Sequence, residues 1–414
     1  MGSRPPRDAR SVYLTIEAVS GFAFYTMATM ASVYRIVSAD LDPLQLVLVG
    51  TALEASAFIF ELPTGIMADA ISRRRSVIVG TFLIGAGFVL EASFPSFLPI
   101  LAGQVVWGLG FAFVSGADVA WVTDEVGEAP AASLYLRGAQ LGNLTALAGI
   151  AASVGLAIVD LWIPVFVGGA VYIALAIYLL FVMPETGFVR PAERTKIGST
   201  VRTGLGSVRS MLRVRPVLIA VLVISALHGA STETFDRLWE FHLLRDVGLP
   251  SLGPVDPFAW FGILNAGGLL LGIGAIEVVK RRVDVTAGPG VVRAIAVLNV
   301  LLIAATLVFA FAGQLLLAVA AFWSVALLRH THEPVFQAWV NRGLDPTSRA
   351  TMNSAVSQAD AVGQIAGGPL LGLLAALRSA ATAIGAAALL RVPVLGLLRG
   401  AASKEEPPHA TVNS

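Results

Sequence analysis

Two absences bound the reading before any motif is sought. The chain contains no cysteine, which excludes disulfides, thiolate metal sites and cysteine nucleophiles. It is also short of charge: 13% of its 414 residues are Asp, Glu, Lys or Arg, against about 25% in soluble domains. That shortage excludes an ordinary cytosolic enzyme, a nucleic-acid binder and a disordered scaffold. Enzyme signatures are missing too, with no Gly-rich phosphate loop, G-x-S-x-G elbow or H-E-x-x-H. His330 and His332 lie two apart, about 200° around a helix, so they cannot chelate one ion together. No cofactor is expected, and without a nucleotide site any driving energy must come from an ion gradient or from the solute's own gradient.

What the chain has in abundance is apolar residues, 56% of the total. A membrane-spanning helix needs about 20 of them in a row. Twelve segments qualify, at 12–36, 44–68, 76–94, 97–122, 132–159 and 162–183, then 216–241, 257–279, 287–311, 314–340, 349–376 and 379–398. Charges interrupt 216–241 and 314–340, which are read as spans because the topology needs an even count on each side of the central loop. The apolar segment after the basic start meets no convincing cleavage site, so the first helix is expected to stay as an anchor. Lys and Arg fix the orientation. Arg4, Arg7, Arg10, Arg73–Arg75, Lys280–Arg282, Arg342, Arg349, Arg399 and Lys404 fall on one side, with seven more between Arg190 and Arg215. Connections 37–43 and 95–96 carry none. The basic side, with both termini, is expected to be cytoplasmic, making this a multi-pass protein of the cell (inner) membrane.

The long polar break at 184–215 divides the spans six and six. The expected organisation is a cytoplasmic tail 1–11, a bundle 12–183, a basic loop 184–215, a second bundle 216–398 and a tail 399–414. Met183-Pro184-Glu185-Thr186-Gly187 stops the sixth helix, and 199–213 alternates basic and apolar positions like an interfacial helix or an Arg-pinned linker. Weak internal echoes support two parallel repeats. GIMADAISRRR (65–75) returns as GIGAIEVVKRR about 207 positions later, and Ala120-Trp121-Val122 returns as Ala338-Trp339-Val340.

On these residues the chain resembles the major facilitator superfamily. The family's loop between helices 2 and 3 is similar to G-x-x-x-D-R-x-G-R-R, and Gly65, Asp69, Arg73 and Arg74 match it, while Ala70 and Ser72 depart. The resemblance implies an all-α integral membrane protein of twelve helices. It implies an inner latch in which Gly65 lets helices approach and Arg73 pairs with an acid ending the fourth helix, here Asp124. Two departures count against an antiporter assignment: Gln104 stands where the family usually has Arg, and the fifth helix lacks a Gly-Pro motif. The alternative reading of Arg73–Arg75 is that they only mark topology.

Ionisable groups inside spans are functional candidates by default. Here they are Glu17, Glu54, Glu61, Asp118, Arg329, Glu333, Asp360 and Arg391, with Glu233, Asp236, Arg237 and Glu240 crowding the outer end of the seventh helix. Glu17 and Glu61 lie close to the cytoplasmic surface, where structural pairing suffices. Counting rise per residue, Arg329 and Asp360 both lie about 15–17 Å deep, so they are expected to pair and orient the solute, with Glu333 competing one turn away. Alternatively, these groups only satisfy one another. Glu54, with no basic residue among its sequence neighbours, is the expected carrier of a coupling proton. The leading function is a proton-coupled exporter of small amphipathic compounds, by resemblance to bacterial drug-efflux members. Phe24, Tyr25, Trp107, Phe111 and Trp260 are expected to line the route. A proton-coupled metabolite importer, a membrane-embedded enzyme and a non-transporting receptor are the alternatives. The expected partners are a small-molecule solute, protons and the bilayer, with the chain acting as a monomer and not as an enzyme.

Overall fold

The computed structural model describes residues 8–189, 206, 209–213, 217–250, 252, 258–282 and 288–402, and every regular element among them is helical. Most of both tails, of the central basic loop and of the expected interfacial helix at 199–213 lies outside the described residues. Contacts group the chain into two compact units, one of residues 1–200 and 249–266, the other of 201–248 and 267–414.

In the first unit the helices are α1 (Ala9–Val37), α2 (Pro43–Ala70), α3 (Arg73–Ser93), α4 (Phe97–Val114), α5 (Ala117–Val126), α6 (Glu128–Ala157) and α7 (Trp162–Val182). Their starts are written locally. Asp42 caps α2 in a reciprocal box with Gln45, with Pro43 in the first turn, and Ser72 caps α3 by accepting from the Arg75 N–H. In lipid the hydrophobic effect does not press helices together, so close packing has to. Small residues supply it: a Cβ on Gly108 would meet the Leu53 carbonyl of α2 at 2.5 Å, and one on Gly85 the Gly169 carbonyl of α7 at 2.6 Å. Ser56 and Thr64 of α2 donate to the Val105 and Ala112 carbonyls of α4, each bond a polar link between neighbouring helices.

The second unit contains α8 (Val217–His242), extended by a π turn at Leu243–Val247, then α9 (Phe258–Arg282, its residues to Ala266 grouping with the first unit), α10 (Gly288–Ala310), α11 (Leu315–Val340), α12 (Pro346–Leu377), α13 (Ala380–Leu389) and α14 (Val392–Ala402). Here α8 and α12 touch backbone to backbone. A Cβ on Gly363 would sit 1.9 Å from the Ala226 carbonyl, and one on Gly229 2.1 Å from the Asp360 carbonyl. The core gathers Leu218, Val335, Phe336, Trp339 and Met352. Met211 and Leu212 pack against it while Arg209 and Arg213 stay exposed.

Two expected spans are not continuous. The fourth breaks between α4 and α5, where Gly116 takes φ +75°, a left-handed conformation open to glycine. The twelfth breaks between α13 and α14, where Pro393 has no N–H to give and its ring crowds the carbonyl four residues back. Counting each broken helix once, 11 elements among the described residues are long and apolar enough to cross a bilayer; α1, at 29 residues, has the length but misses that measure of apolarity.

Candidate functional site

Each unit carries polar groups at one edge and within its helices. At the α2–α3 turn of the first unit, Arg73 Nη1 donates to Asp124 Oδ2 at 2.5 Å and to the Ala120 carbonyl at 3.0 Å. Its Nη2 donates to Asp69 Oδ1 at 3.3 Å, an i, i+4 pair. The structure thus brings together Asp69, Arg73 and Asp124. Arg74 goes elsewhere: its guanidinium donates to the Leu180 carbonyl at 2.7 Å. Gly65 does not act as a helix-approach point here, because a Cβ built on it meets nothing within 4 Å. The glycines of this unit that admit close contact lie on α1, α3, α4, α6 and α7 instead.

Beside this turn is a clasp that sequence reasoning read only as a helix stop. The Glu185 carboxylate accepts from the Arg74 N–H at 2.9 Å and from Ser72 Oγ. It therefore sits at the α3 N-terminus, where unpaired N–H groups favour an anion. Glu125 at the end of α5 accepts from the Thr186 and Gly187 N–H groups at 2.6 and 2.7 Å, and Trp121 Nε1 donates to the Pro184 carbonyl. The available signal was two carboxylates flanking helix ends in a chain with few charges to spare.

Deeper in this unit, Glu17 lies on α1 beside Tyr13, both packed into the space opened by Gly138 of α6. Asp118, in the first turn of α5, accepts from the Val119 N–H at 2.7 Å and faces Glu17 electrostatically. Glu54 is half-buried on α2. Phe24 meets Tyr25 edge-on and Trp107 at a tilt, with ring centroids 5.5 and 6.1 Å apart, and Trp107 meets Phe88 at 4.9 Å. Phe111, expected beside them, is 53% exposed, and Trp260 donates to the Pro250 carbonyl. Sequence reasoning overlooked the most enclosed charges. Arg35 of α1 makes two bonds to Glu91 of α3, at 2.7 and 3.0 Å, and Gln104 of α4 adds a third at 2.7 Å. Gln104, noted only as a departure from the family, is here a ligand to a buried carboxylate.

The second unit corrects one expected pair. Arg329 of α11 gives both terminal nitrogens to Asp236 of α8, at 2.5 and 2.7 Å, rather than to Asp360. Matched depth along two helices says nothing about azimuth, and Asp236 faces α11. Asp360 accepts instead from Gln364 at 2.8 Å. Glu333 is exposed and takes a bond from Gln337 rather than competing for Arg329. Glu233 and Arg237 pair at i, i+4, with the carboxylate 2% exposed. Arg391, at the α13–α14 break, donates to Asn299 Oδ1 of α10 at 3.2 Å and lies 2.8 Å from His228 Nδ1 of α8, while Asn299 donates back to the Arg391 carbonyl. His228 stacks on His332, with rings 5.7 Å apart and 11° from parallel. Among the described residues no three His, Asp or Glu side chains converge as a metal site requires.

The sequence model of the Major Facilitator Superfamily matches residues 14–368. A Bacillus subtilis (strain 168) protein described as the uncharacterized MFS-type transporter YxaM is 22% identical over 391 residues, 93% of this chain and 94% of that one. Among solved structures, the nucleoside transporter NupG superposes with a TM-score of 0.77 at 14% identity, covering 96% of this chain and 100% of its own. The peptide transporter POT in complex with alafosfalin gives 0.71 at 16%, covering 97% of each. At these identities the structural likeness speaks for the fold.

Proposed function

This chain belongs to the Major Facilitator Superfamily, and from that membership we propose that it is a proton-coupled secondary carrier of a small amphipathic solute, working by alternating access in the inner membrane. The observation that carries the reading is the retention of charged groups inside apolar helices of both units, at a cost of several kcal/mol per ion unless compensated. In this proposal α1 also spans, which brings the count to twelve, and both termini are cytoplasmic. Six helices at 12–183 and six at 216–398 form parallel repeats flanking the basic loop 184–215, and the monomer is the working unit. Asp69, Arg73 and Asp124 act as the inner latch that favours the outward-open state, with Arg74 fastening the same turn to the Leu180 carbonyl.

Export is the first direction to test, because the aromatic group of Phe24, Tyr25 and Trp107 suits an amphipathic cargo. Proton-driven uptake is the second reading. The observation favouring it is that Asp360 and Arg391 share one bundle, so an anion and a proton can be bound together. Expression in an efflux-deficient bacterium separates the two: resistance to members of a drug panel supports export, and improved growth on one metabolite supports uptake. For coupling, Glu54 is the leading proton site, followed by Asp118 and Asp360. In proteoliposomes Glu54→Gln is expected to abolish transport driven by a pH gradient while leaving downhill exchange. Normal gradient-driven transport by that variant would move the assignment to Asp118 or Asp360.

A further inference from the structure

We infer that the second unit holds a binding site for one anionic group of a small organic carboxylate, built from Arg391, His228 and Asn299 and opposed by Asp360. The inference deepens the carrier reading and rests on it for the identity of the ligand as cargo, though not for the site itself.

The argument begins at Pro393. By breaking the twelfth span it leaves Leu390 and Arg391 outside a regular helix, and Arg391 turns inward to 5% exposure. A guanidinium so enclosed normally demands carboxylates. Three other arginines within the helices have them, Arg35 in Glu91, Arg237 in Glu233 and Arg329 in Asp236. Arg391 has neutral company: an amide oxygen at 3.2 Å and an imidazole nitrogen at 2.8 Å. No carboxylate among the described residues bonds it.

The imidazole contact fixes a tautomer. A guanidinium has no acceptor, so His228 Nδ1 must be the acceptor and the ring proton must sit on Nε2. Beside it, His332 is 3% exposed and its Nδ1 has no hydrogen-bond partner. His332 in turn stacks on Phe336, ring centroids 5.6 Å apart. The cluster therefore offers one unneutralised positive charge, one unused buried polar atom and a flat stack of rings. A carboxylate carried on a flat or apolar body answers all three.

The charges in reach of Arg391 are Asp360 and Arg329; those in reach of Asp360 are Glu333, Arg329 and Arg391. Arg329 is already engaged by Asp236 and also faces His228, as does His332. Among the described residues Asp360 is thus the one negative charge placed to compete with a guest for Arg391. Asp360 and Gln364 are only half-buried, so the acid itself is open to protonation. Protonating Asp360 removes the competitor, so a proton and the anion bind cooperatively.

The test uses the purified full-length chain in detergent, with benzoate as probe and benzamide as its uncharged counterpart, followed by titration calorimetry and by the shift in thermal unfolding. Benzoate is expected to bind and stabilise, more tightly as pH falls, while benzamide does neither. Arg391→Gln should weaken benzoate about tenfold or more, and Asp360→Asn should tighten it about tenfold and flatten its pH dependence. The opposite signs are what a merely structural cluster would not give, and Asp360→Asn alone decides the matter if Arg391→Gln does not fold. Absence of benzoate binding, equal binding of benzamide, or no tightening in Asp360→Asn would overturn the site. Benzoate binding with these signs but no solute movement in proteoliposomes would leave the site standing and sink the carrier reading.

Discussion

Arg35 and Arg391 are buried to the same degree, 4% and 5% exposed, one in each unit. The first is locked by both oxygens of Glu91, itself fully buried and held again by Gln104. The second rests on an asparagine and a histidine. The first unit thus uses its enclosed arginine to tie α1, α3 and α4 together with the charge cancelled. The second unit leaves its charge uncancelled at the junction of α8, α10 and the α13–α14 break. A pair whose charges cancel is a fastening, while a charge with neutral partners keeps its capacity to attract.

The sharpest way to break this contrast is Glu91→Ala. It strands a buried guanidinium, and the expected loss is about 3–5 kcal/mol in unfolding experiments in detergent. The double variant Arg35→Met with Glu91→Leu should recover most of it. A loss below about 1 kcal/mol for the single change would mean that Arg35 finds water or another acceptor, and the two units would then be alike.

Asn299→Leu probes the other side. It removes the acceptor of Arg391 Nε and the donor to the Arg391 carbonyl, and the expected cost is about 1–3 kcal/mol by the same measurement. A cost equal to that of Glu91→Ala would show that neutral partners fasten as firmly as charged ones.

The helix breaks extend the comparison. Gly116 breaks its span by a left-handed backbone, so Gly116→Ala is expected to cost about 1–2 kcal/mol. Pro393 breaks its span by lacking an N–H, and Pro393→Ala, which any helix accepts, should cost less. The reverse order of these two melting shifts would refute the assignment of causes.

The smallest effect is expected at the rim. Arg73 and Asp124 are 22% and 26% exposed, so Asp124→Asn should change stability by only about 0.2–1 kcal/mol. If the latch proposal holds, that variant nevertheless shifts cysteine-labelling rates of engineered inner-side positions. Unchanged labelling would leave Arg73 a topology marker.

The reach of sequence reasoning follows the physics of each signal. The all-helical membrane character was legible because a bilayer imposes length and apolarity on one dimension of the chain, and the Arg73 turn was legible because its residues are neighbours or match a loop signature. Partner choice between distant helices was not. Depth alone pointed Arg329 to Asp360, and depth carries no azimuth, so Asp236 was missed. Arg35 and Glu91 lie near helix ends, where charges are expected to reach water, so their burial left no trace in composition. The break at Pro393 was readable in principle, since a proline near the end of an apolar run often kinks it, but its consequence for Arg391 depends on Asn299, 92 positions earlier.

The glycine contact between α8 and α12 has a mechanical consequence. Gly229 abuts the carbonyl of Asp360, and His228 is its neighbour in the chain. With no side chain between the two backbones, α8 and α12 have no cushion in which to slide, and they form a single plank. His228 and Asp360 are therefore marks on one ruler, their spacing unchanged by whatever motion the carrier makes. Any change in how strongly Asp360 attracts the guanidinium that His228 accepts from has to come from the far side, through the residues of the α13–α14 break that hold Arg391.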